Sequence, residues 1–324
     1  MKQFTEMVGY AMKAPSGHNT QPWKFRLTDN AIDVYPDFNC SLPVVDENHR
    51  ELYISLGAAV ENLCIAMHEF GYHEDVSILT DDEGEYYVHV EFEKVEKTYS
   101  DPLFVQIAKR QTNRKVYAGR KLYGDTLKVL NGISLENDVH FYFYKNGEEE
   151  FNLLKEFIYR GNEAQMNDND FKNELTSWIR LNKKQVELNR DGLTYAVMGS
   201  PSVPEWIGKP IMKHVLNPNT QNKSDEKKIN SSSHLVLFTT SNNTPLEWIY
   251  LGRSLERFLL ETTLLGVANA YLNQPCEVKA LADEMRTKLS INGEYPTLLV
   301  RIGYASPMPY SPRKDISKLI IMQN

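Results

Sequence analysis

The chain has 324 residues, 41% of them hydrophobic and 24% charged, with a net charge of −7 at neutral pH. That composition can bury a core and lacks the bias of a disordered chain, while the length exceeds the roughly 250–300 residues at which single cores stop growing, so two units or a fused pair are expected. The negative balance, with no basic stripe carrying interleaved aromatics, argues against nucleic acid or anionic lipid as a partner and leaves any anionic ligand to a few local arginines.

No apolar run approaches the ~20 residues needed to span a bilayer, and the opening MKQFTEMVGYAMK is too polar for a signal-peptide core. A cytoplasmic chain with no membrane partner is expected. Cys40, Cys64 and Cys276 are scattered and odd in number, which fits a reducing compartment and small buried hydrophobes rather than a disulfide framework.

The first distinctive stretch is APSGHNTQPWKF, Ala14 to Phe25. It carries six side chains with hydrogen-bonding groups, while Pro15, Gly17 and Pro22 shape an irregular loop. A turn whose Asn and Gln satisfy nearby backbone is one reading, a ligand-holding loop the other. KFRLTDNAIDVYP then predicts a hairpin around Asp29 and Asn30. LYISLGAAVENLCIAMHEFGY, Leu52 to Tyr72, is apolar nearly all round and predicts an interior helix, with an Asn48/Glu51 capping box before it and Gly71 at its end. YYVHVEFEKV follows as a strand.

DPLFVQIAKRQTNR begins with an Asp-Pro helix start and opens a second part, placing the boundary near Tyr99 and the halves at 1–99 and 100–324. In RQTNR, Arg110 and Arg114 would occupy neighbouring turns of a helix with the Thr112 hydroxyl between them, a donor group suited to a phosphate monoester. On the pattern alone, a solvated, basic helix end is the commoner reading of the same residues. Two amphipathic helices are expected between Phe151 and Asn182. DGLTYAVMGSPSVPEWIGKP, Asp191 to Pro210, reads as a loop able to serve as a lid, and NPNTQNKSDEKKINSSS, Asn217 to Ser233, as a long polar loop.

HLVLFTT and TLLVRIGY predict strands on either side of a second interior helix, WIYLGRSLERFLLETTLLGVA, Trp248 to Ala268. TPLE ahead of it offers a capping box with proline at the first helical position. Gly57, Glu61 and Gly71 recur as Gly252, Glu256 and Gly266 at a constant offset of 195. An ancient duplication explains this better than coincidence, and each half reads as α+β.

Several motifs fail. HEFGYH spaces His68 and His73 five apart with Gly71 between them, which does not make a zinc helix. YISLG lacks the glycine of a nucleophile elbow, so Ser55 reads as a helix residue. No phosphate loop, dinucleotide fingerprint or CxxC is present, and no catalytic side chain or metal ligand is assigned.

Together, PSGHNTQPW and RQTNR resemble the nitroreductase superfamily, flavoproteins that bind FMN at a dimer interface, where an R-x-[ST]-x-R motif of one subunit meets a PSxxNxQPW loop of the other. Here the loop precedes the arginine motif, which is similar to the fused, single-chain Acg-like branch. DENHRELYISLGAAVENLCIA, GVANAYLNQPCEV, RIGY and SPRKD extend the likeness along most of the chain. The resemblance implies a nitroreductase-like α+β fold whose two fused halves form an intramolecular pseudo-dimer. No arginine precedes Ala14, and ISLENDVHFYF in the second half lacks Pro-Ser and Gln-Pro-Trp, so each half has kept what the other lacks and one FMN per chain is expected.

Carried over by position, Arg110, Thr112 and Arg114 would hold the phosphate, while Pro15, Ser16, Gly17, Asn19 and Gln21 would face the flavin. Arg301 and Arg313 would add basic contacts, and Gln274 would either approach the ring or form a plain turn. Trp23 reads as core. The resemblance further implies NAD(P)H as reductant and a nitroaromatic, quinone or similar planar acceptor, with the flavin carrying the redox chemistry. The alternative is an FMN-sequestering protein whose lid excludes nicotinamides.

Overall fold

The computed structural model describes residues 2–96 and 100–321. The boundary expected at Tyr99 lies outside the described residues. In chain order the elements are α1 (Lys2–Ala11), β1 (Trp23–Leu27), β2 (Ala31–Pro36), α2 (Arg50–Glu69), β3 (Tyr72–Thr80) and β4 (Tyr86–Lys94). There follow α3 (Phe104–Ile107), α4 (Gly124–Asn131), β5 (Val139–Lys145), α5 (Glu149–Asn167), α6 (Asn169–Ser177), β6 (Ile179–Arg180), α7 (Lys183–Asn189) and β7 (Leu193–Thr194). The last group is α8 (Glu205–Val215), α9 (Pro218–Asn230), β8 (His234–Thr240), α10 (Pro245–Leu264), β9 (Ala268–Tyr271), α11 (Gln274–Glu277), α12 (Lys279–Lys288), β10 (Tyr295–Gly303) and β11 (Ile320–Ile321).

The fold is α+β. One sheet has the order β11-β1-β2-β4-β3 and another β5-β8-β10-β9, with a small β6-β7 pair apart from both. The hairpin expected around Asp29 and Asn30 is β1 and β2, paired antiparallel from Trp23–Pro36 to Leu27–Ile32. β11 comes from the end of the chain yet pairs parallel to β1, Phe25 opposite Ile320. The downstream chain thus completes the upstream sheet. A single hydrophobic cluster includes Trp23, Phe25, Val88 and Leu56 from the upstream elements together with Phe238, Phe258 and Val300 from the downstream ones. Among the described residues, no helix is long and apolar enough to cross a membrane.

The two interior helices, α2 and α10, pack directly on each other. A Cβ added to Gly57 would lie 2.0 Å from the Ile249 carbonyl oxygen, and one added to Gly252 would lie 2.0 Å from that of Ile54. Each glycine meets the carbonyl three residues before the other, a reciprocity of the kind a two-fold axis generates. Glu61 on α2 accepts from Arg257 at 2.6 Å and from Arg253 at 3.3 Å, both on α10. Its counterpart Glu256 pairs instead with Arg110 at 3.1 Å.

Four local expectations need correction. The Asn48/Glu51 capping box does not form, because His49 takes a positive φ of 60° and starts the helix at Arg50. The free amides of Glu51 and Leu52 are met by the Asp46 carboxylate at 2.9 and 3.0 Å. Asn217 to Ser233 is largely the helix α9, capped by Asn217 with Pro218 in its first turn. It showed no apolar period because Asp225, buried with Ile229, makes much of its inner face polar. Asp191 to Pro210 is irregular only in part, since α8 begins at Glu205. RQTNR is not helical: the preceding helix α3 ends at Ile107, and Thr112 bridges to Asn269 beside β9 in strand fashion. Elsewhere, α10 carries the expected Thr244/Glu247 capping box, and Gly71 and Gly266 take positive φ values of 83° and 68° after α2 and α10.

The glycine crossing predicts the cost of a methyl group there. Gly57→Ala and Gly252→Ala are each expected to lower unfolding free energy by about 3 kcal/mol or more, measured by urea denaturation. A gain in stability of the size set by alanine's better helix propensity would show that the helices do not meet at this point.

Candidate functional site

A cavity of about 740 Å³ opens where the upstream loop, the RQTNR segment, α5, α8, α9 and the segment after β10 converge. Pro15, Ser16, Gly17, Asn19, Arg110, Thr112, Arg114, Gln274, Arg301 and Arg313 all line it. Gln21 does not. Residues as far apart in sequence as Pro15 and Arg313 therefore share one wall.

The upstream loop is held in an uncommon backbone shape. His18, Asn19 and Gln21 all have positive φ, at 48°, 57° and 53°, a region that costs non-glycine residues energy and persists only where surroundings enforce it. The enforcement is visible. Ser16 Oγ accepts from Gln21 N at 3.0 Å. Gln21 Nε2 donates to the Arg190 carbonyl at 3.0 Å and its Oε1 accepts from Lys314 N at 2.7 Å, so this buried amide fixes the loop from behind. Arg313 does the same with charge: its guanidinium donates to the carbonyls of Met12 at 2.8 Å, Lys13 at 2.7 Å and Ala14 at 3.1 Å, and to Asn19 Oδ1 at 3.0 Å. Its donors are engaged by protein acceptors, and burial, then Arg110, draws its pKa down to about 9. Asn19 Nδ2 reaches the Pro312 carbonyl at 3.2 Å. The strap from Ser311 to Lys314 is a clamp on the loop.

RQTNR acts through strand geometry. Thr112 bridges to Asn269, and Asn113 N donates to the Asn269 carbonyl at 2.7 Å. Alternation along extended chain places residues 110, 112 and 114 on one side. Arg110 is buried between Glu256 and the Lys13 carbonyl, the latter at 2.7 Å. Burial outweighs Arg110 and lifts the Glu256 carboxyl to about 7. Arg301 donates to three carbonyls, of Asn113 and Lys115 at 3.1 and 2.8 Å and of Lys228 at 3.3 Å, and lies 3.9 Å over the Tyr117 ring.

Arg114 differs from these. Its guanidinium has no hydrogen-bond acceptor or ion-pair partner among the described residues, and burial followed by the nearby Arg301 lowers its pKa. A cation beside a cation in a wall shielded from water is electrostatically unfavourable unless a negative charge approaches it. Other polar groups around the cavity also lack partners: His18 Nε2, Tyr271 Oη and Gln274 Oε1. Gln274 Nε2 faces Asp225 at 3.4 Å, and the turn carrying it sits against Gly161, where an added Cβ would fall 2.8 Å from Gln274 Cβ. An apolar part of the cavity lining is supplied by Met166, Phe171, Leu175, Met198, Ile211 and Met212.

Some groups here escaped sequence reasoning. Glu51 reads as half of a cap and Asp225 as loop, and Glu277 carries no assigned role within GVANAYLNQPCEV, yet all three line the cavity. Only the placement of carboxylates within otherwise apolar or proline-marked stretches hinted at them.

His18 offers a test of the loop. Burial, then Arg114, holds its imidazole near pKa 4, against about 6.5 when unfolded. Between those values the unfolded chain binds the additional proton, so this contribution to stability is present above about pH 6.5 and lost as pH falls towards 4. Asp46, Glu51 and Glu256, with raised pKa values, act in the opposite sense. The relevant quantity is therefore the difference between wild type and His18→Gln. Wild type is expected to lose up to about 3 kcal/mol relative to the variant between pH 6.5 and 4, measured by urea denaturation; parallel curves would mean a solvated imidazole.

No family model matches the chain. In Mycobacterium tuberculosis H37Rv, the protein named "Putative NAD(P)H nitroreductase Rv3131" is 23% identical over 319 residues, which cover 96% of this chain and 88% of that protein. The "Putative NAD(P)H nitroreductase acg" of the same strain is 21% identical, covering 96% of this chain and 93% of its own length. Among solved structures, an FMN-bound nitroreductase from Bacteroides fragilis is 15% identical, with 69% of this chain and all 100% of that one covered, at a TM-score of 0.42. These relatives are matched along nearly their whole length, and the loop and the arginine motif meet at one cavity, so the chain is similar throughout to proteins named as NAD(P)H nitroreductases.

Proposed function

We propose that the chain is an FMN-dependent oxidoreductase that takes electrons from NAD(P)H and passes them to a nitroaromatic, quinone or similar planar acceptor. One FMN per chain would lie in the cavity, between a half formed by residues 1–99 and a half formed by residues 100–324. The observation that carries this reading is the half-buried, acceptor-free guanidinium of Arg114, which lines the cavity together with Thr112, a pair of donors fitted to a phosphate. The reciprocal Gly57 and Gly252 contacts support treating the halves as a fused pseudo-dimer. The full-length relatives named as NAD(P)H nitroreductases support the electron donor.

The residues fit the cofactor. The cavity volume lies within the range of cofactor sites, about 300–1,000 Å³. Arg114 and Thr112 would bind the phosphate, with Arg301 adding positive potential from behind while its donors stay on carbonyls. Pro15, Ser16, Gly17 and Asn19 would face the ring and ribityl chain, their shape held by Gln21 and Arg313. His18, kept neutral, presents Nε2 without adding charge. Gln274 would reach the ring edge through its unpartnered Oε1. Bound FMN supplies the two-electron chemistry, so the chain needs no nucleophile.

A second reading has its own support. Leu193, Tyr195, Met198, Pro201 and Val203, with α8, line the cavity as a cover. A cover closed against nicotinamide would leave an FMN-sequestering protein with little turnover. Anaerobic titration separates the two. The oxidoreductase reading expects NADPH or NADH to bleach the flavin absorbance; bleaching by dithionite alone would favour sequestration. Arg114→Ala is expected to weaken FMN binding at least about tenfold, as for loss of a charged hydrogen bond, while leaving the fold intact by circular dichroism; unchanged affinity would remove the phosphate assignment.

A further inference from the structure

Glu51, in the first turn of α2, and Glu277, in α11, line the cavity together. Their hydrogen bonds can be assigned by direction. Asn273 Oδ1 accepts from Leu299 N at 3.1 Å, so its Nδ2 is the end that donates to Glu51 Oε1, at 2.5 Å. On the other side Gln165 Nε2 donates to Glu277 Oε2 at 2.5 Å. Each carboxyl thus has an oxygen occupied by a neutral amide donor, and the two carboxyls lie within hydrogen-bonding reach of each other. Carboxylates are acceptors only, so a bond between two of them requires one shared proton.

The surrounding charges agree. Arg50 is the cation facing the pair from α2; Asp46 adds a further carboxylate from before that helix, and Tyr271 from β9 and Cys276 from α11 are un-ionised neighbours with raised pKa values. Two neighbouring acids in the cavity wall and one such cation favour retention of a single proton, and desolvation followed by Glu277 lifts the Glu51 carboxyl to about 8. The pair is also well placed. A Cβ on Gly17 would lie 3.1 Å from Glu51 Oε2, so the upstream loop rests on this carboxyl, while Gln165 adjoins Met166 of the apolar lining.

We propose that Glu51 and Glu277 form a single-proton acid that protonates the acceptor once it has received a hydride, an assignment that rests on the oxidoreductase reading above. The acceptor gains a hydride, two electrons and one hydrogen nucleus originating in NAD(P)H, and a new bond to hydrogen forms while negative charge collects on its oxygen. The proton between the carboxyls moves to that oxygen; an O–H bond at the pair breaks and one on the product forms. The pair, left as a dianion, takes a proton from water. The sum is NAD(P)H, one solvent proton and oxidised acceptor giving NAD(P)⁺ and reduced acceptor. Quinones and nitro compounds, which become oxyanions on reduction, are the class served.

The test has two arms. Infrared difference titration of flavin-free protein is expected to show a protonated-carboxyl band that disappears near pH 8 in wild type and at lower pH in Glu277→Gln, where the like charge is gone. With flavin bound, stopped-flow reoxidation by a naphthoquinone is expected to slow about 100-fold in Glu51→Gln and Glu277→Gln, without a matching loss in reduction by NADPH. Absence of the band, or equal loss in both half-reactions, overturns the acid role. A chain that shows the band but takes up no flavin sinks the oxidoreductase reading, and the acid assignment with it, whereas a flavin-binding chain without the band loses this proposal alone.

Discussion

The structure turns on two glycines. Where α2 and α10 cross, Gly57 and Gly252 each leave room for a carbonyl oxygen of the opposing helix, so two buried twenty-residue helices meet backbone to backbone. That crossing sets what surrounds it. Glu51 enters the cavity wall from the first turn of α2, and the chain leaving α10 runs directly into β9, where Asn269 anchors RQTNR. Buried carboxylates on the same two helices then dictate where guanidinium groups settle, Glu61 drawing Arg253 and Arg257, and Glu256 drawing Arg110. A charge taken out of water must be paired, and the pairing fixes orientation.

The cavity wall is built by the same logic applied unequally. Arg110 has a carboxylate, Arg301 and Arg313 have carbonyls, and Arg114 has neither. Three arginines therefore stiffen the wall and one presents unanswered charge. The strained loop opposite keeps its shape because Gln21, Asn19 and the Ser311 to Lys314 strap surround it with hydrogen bonds. Rigid backbone, an unpaired cation and an apolar lining together describe a cofactor site better than an open cleft.

Much of this was legible in the residues. The Asp29–Asn30 hairpin, both interior helices, the Thr244 capping box and the strands HLVLFTT and TLLVRIGY follow from local periodicity and turn chemistry. The convergence of PSGHNTQPW with RQTNR came from resemblance, since nothing local says that two segments about ninety residues apart share a wall. What stayed hidden was decided by tertiary contact. α9 buries a carboxylate rather than an apolar stripe, so its sequence looks like loop; RQTNR is drawn out by pairing with Asn269, against the helical spacing of its arginines. Gln21 and Arg313 sit in motifs that suggest ligand contact, yet their polar atoms are engaged by backbone, a fact visible only once the strap is in position. HEFGYH is a further case: the turn at Gly71 that spoils the helical metal motif folds His73 and Glu74 back to His68, with ligand atoms within 4.8 Å of one another.

The central claim is that two incomplete halves make one cofactor site. The number of FMN molecules bound per chain at saturation, from flavin absorbance against protein concentration in a titration of stripped protein, tests it most directly. The account predicts one. A value of two would mean that each half carries a complete site, and a value of zero would mean that the unpaired guanidinium answers to something else.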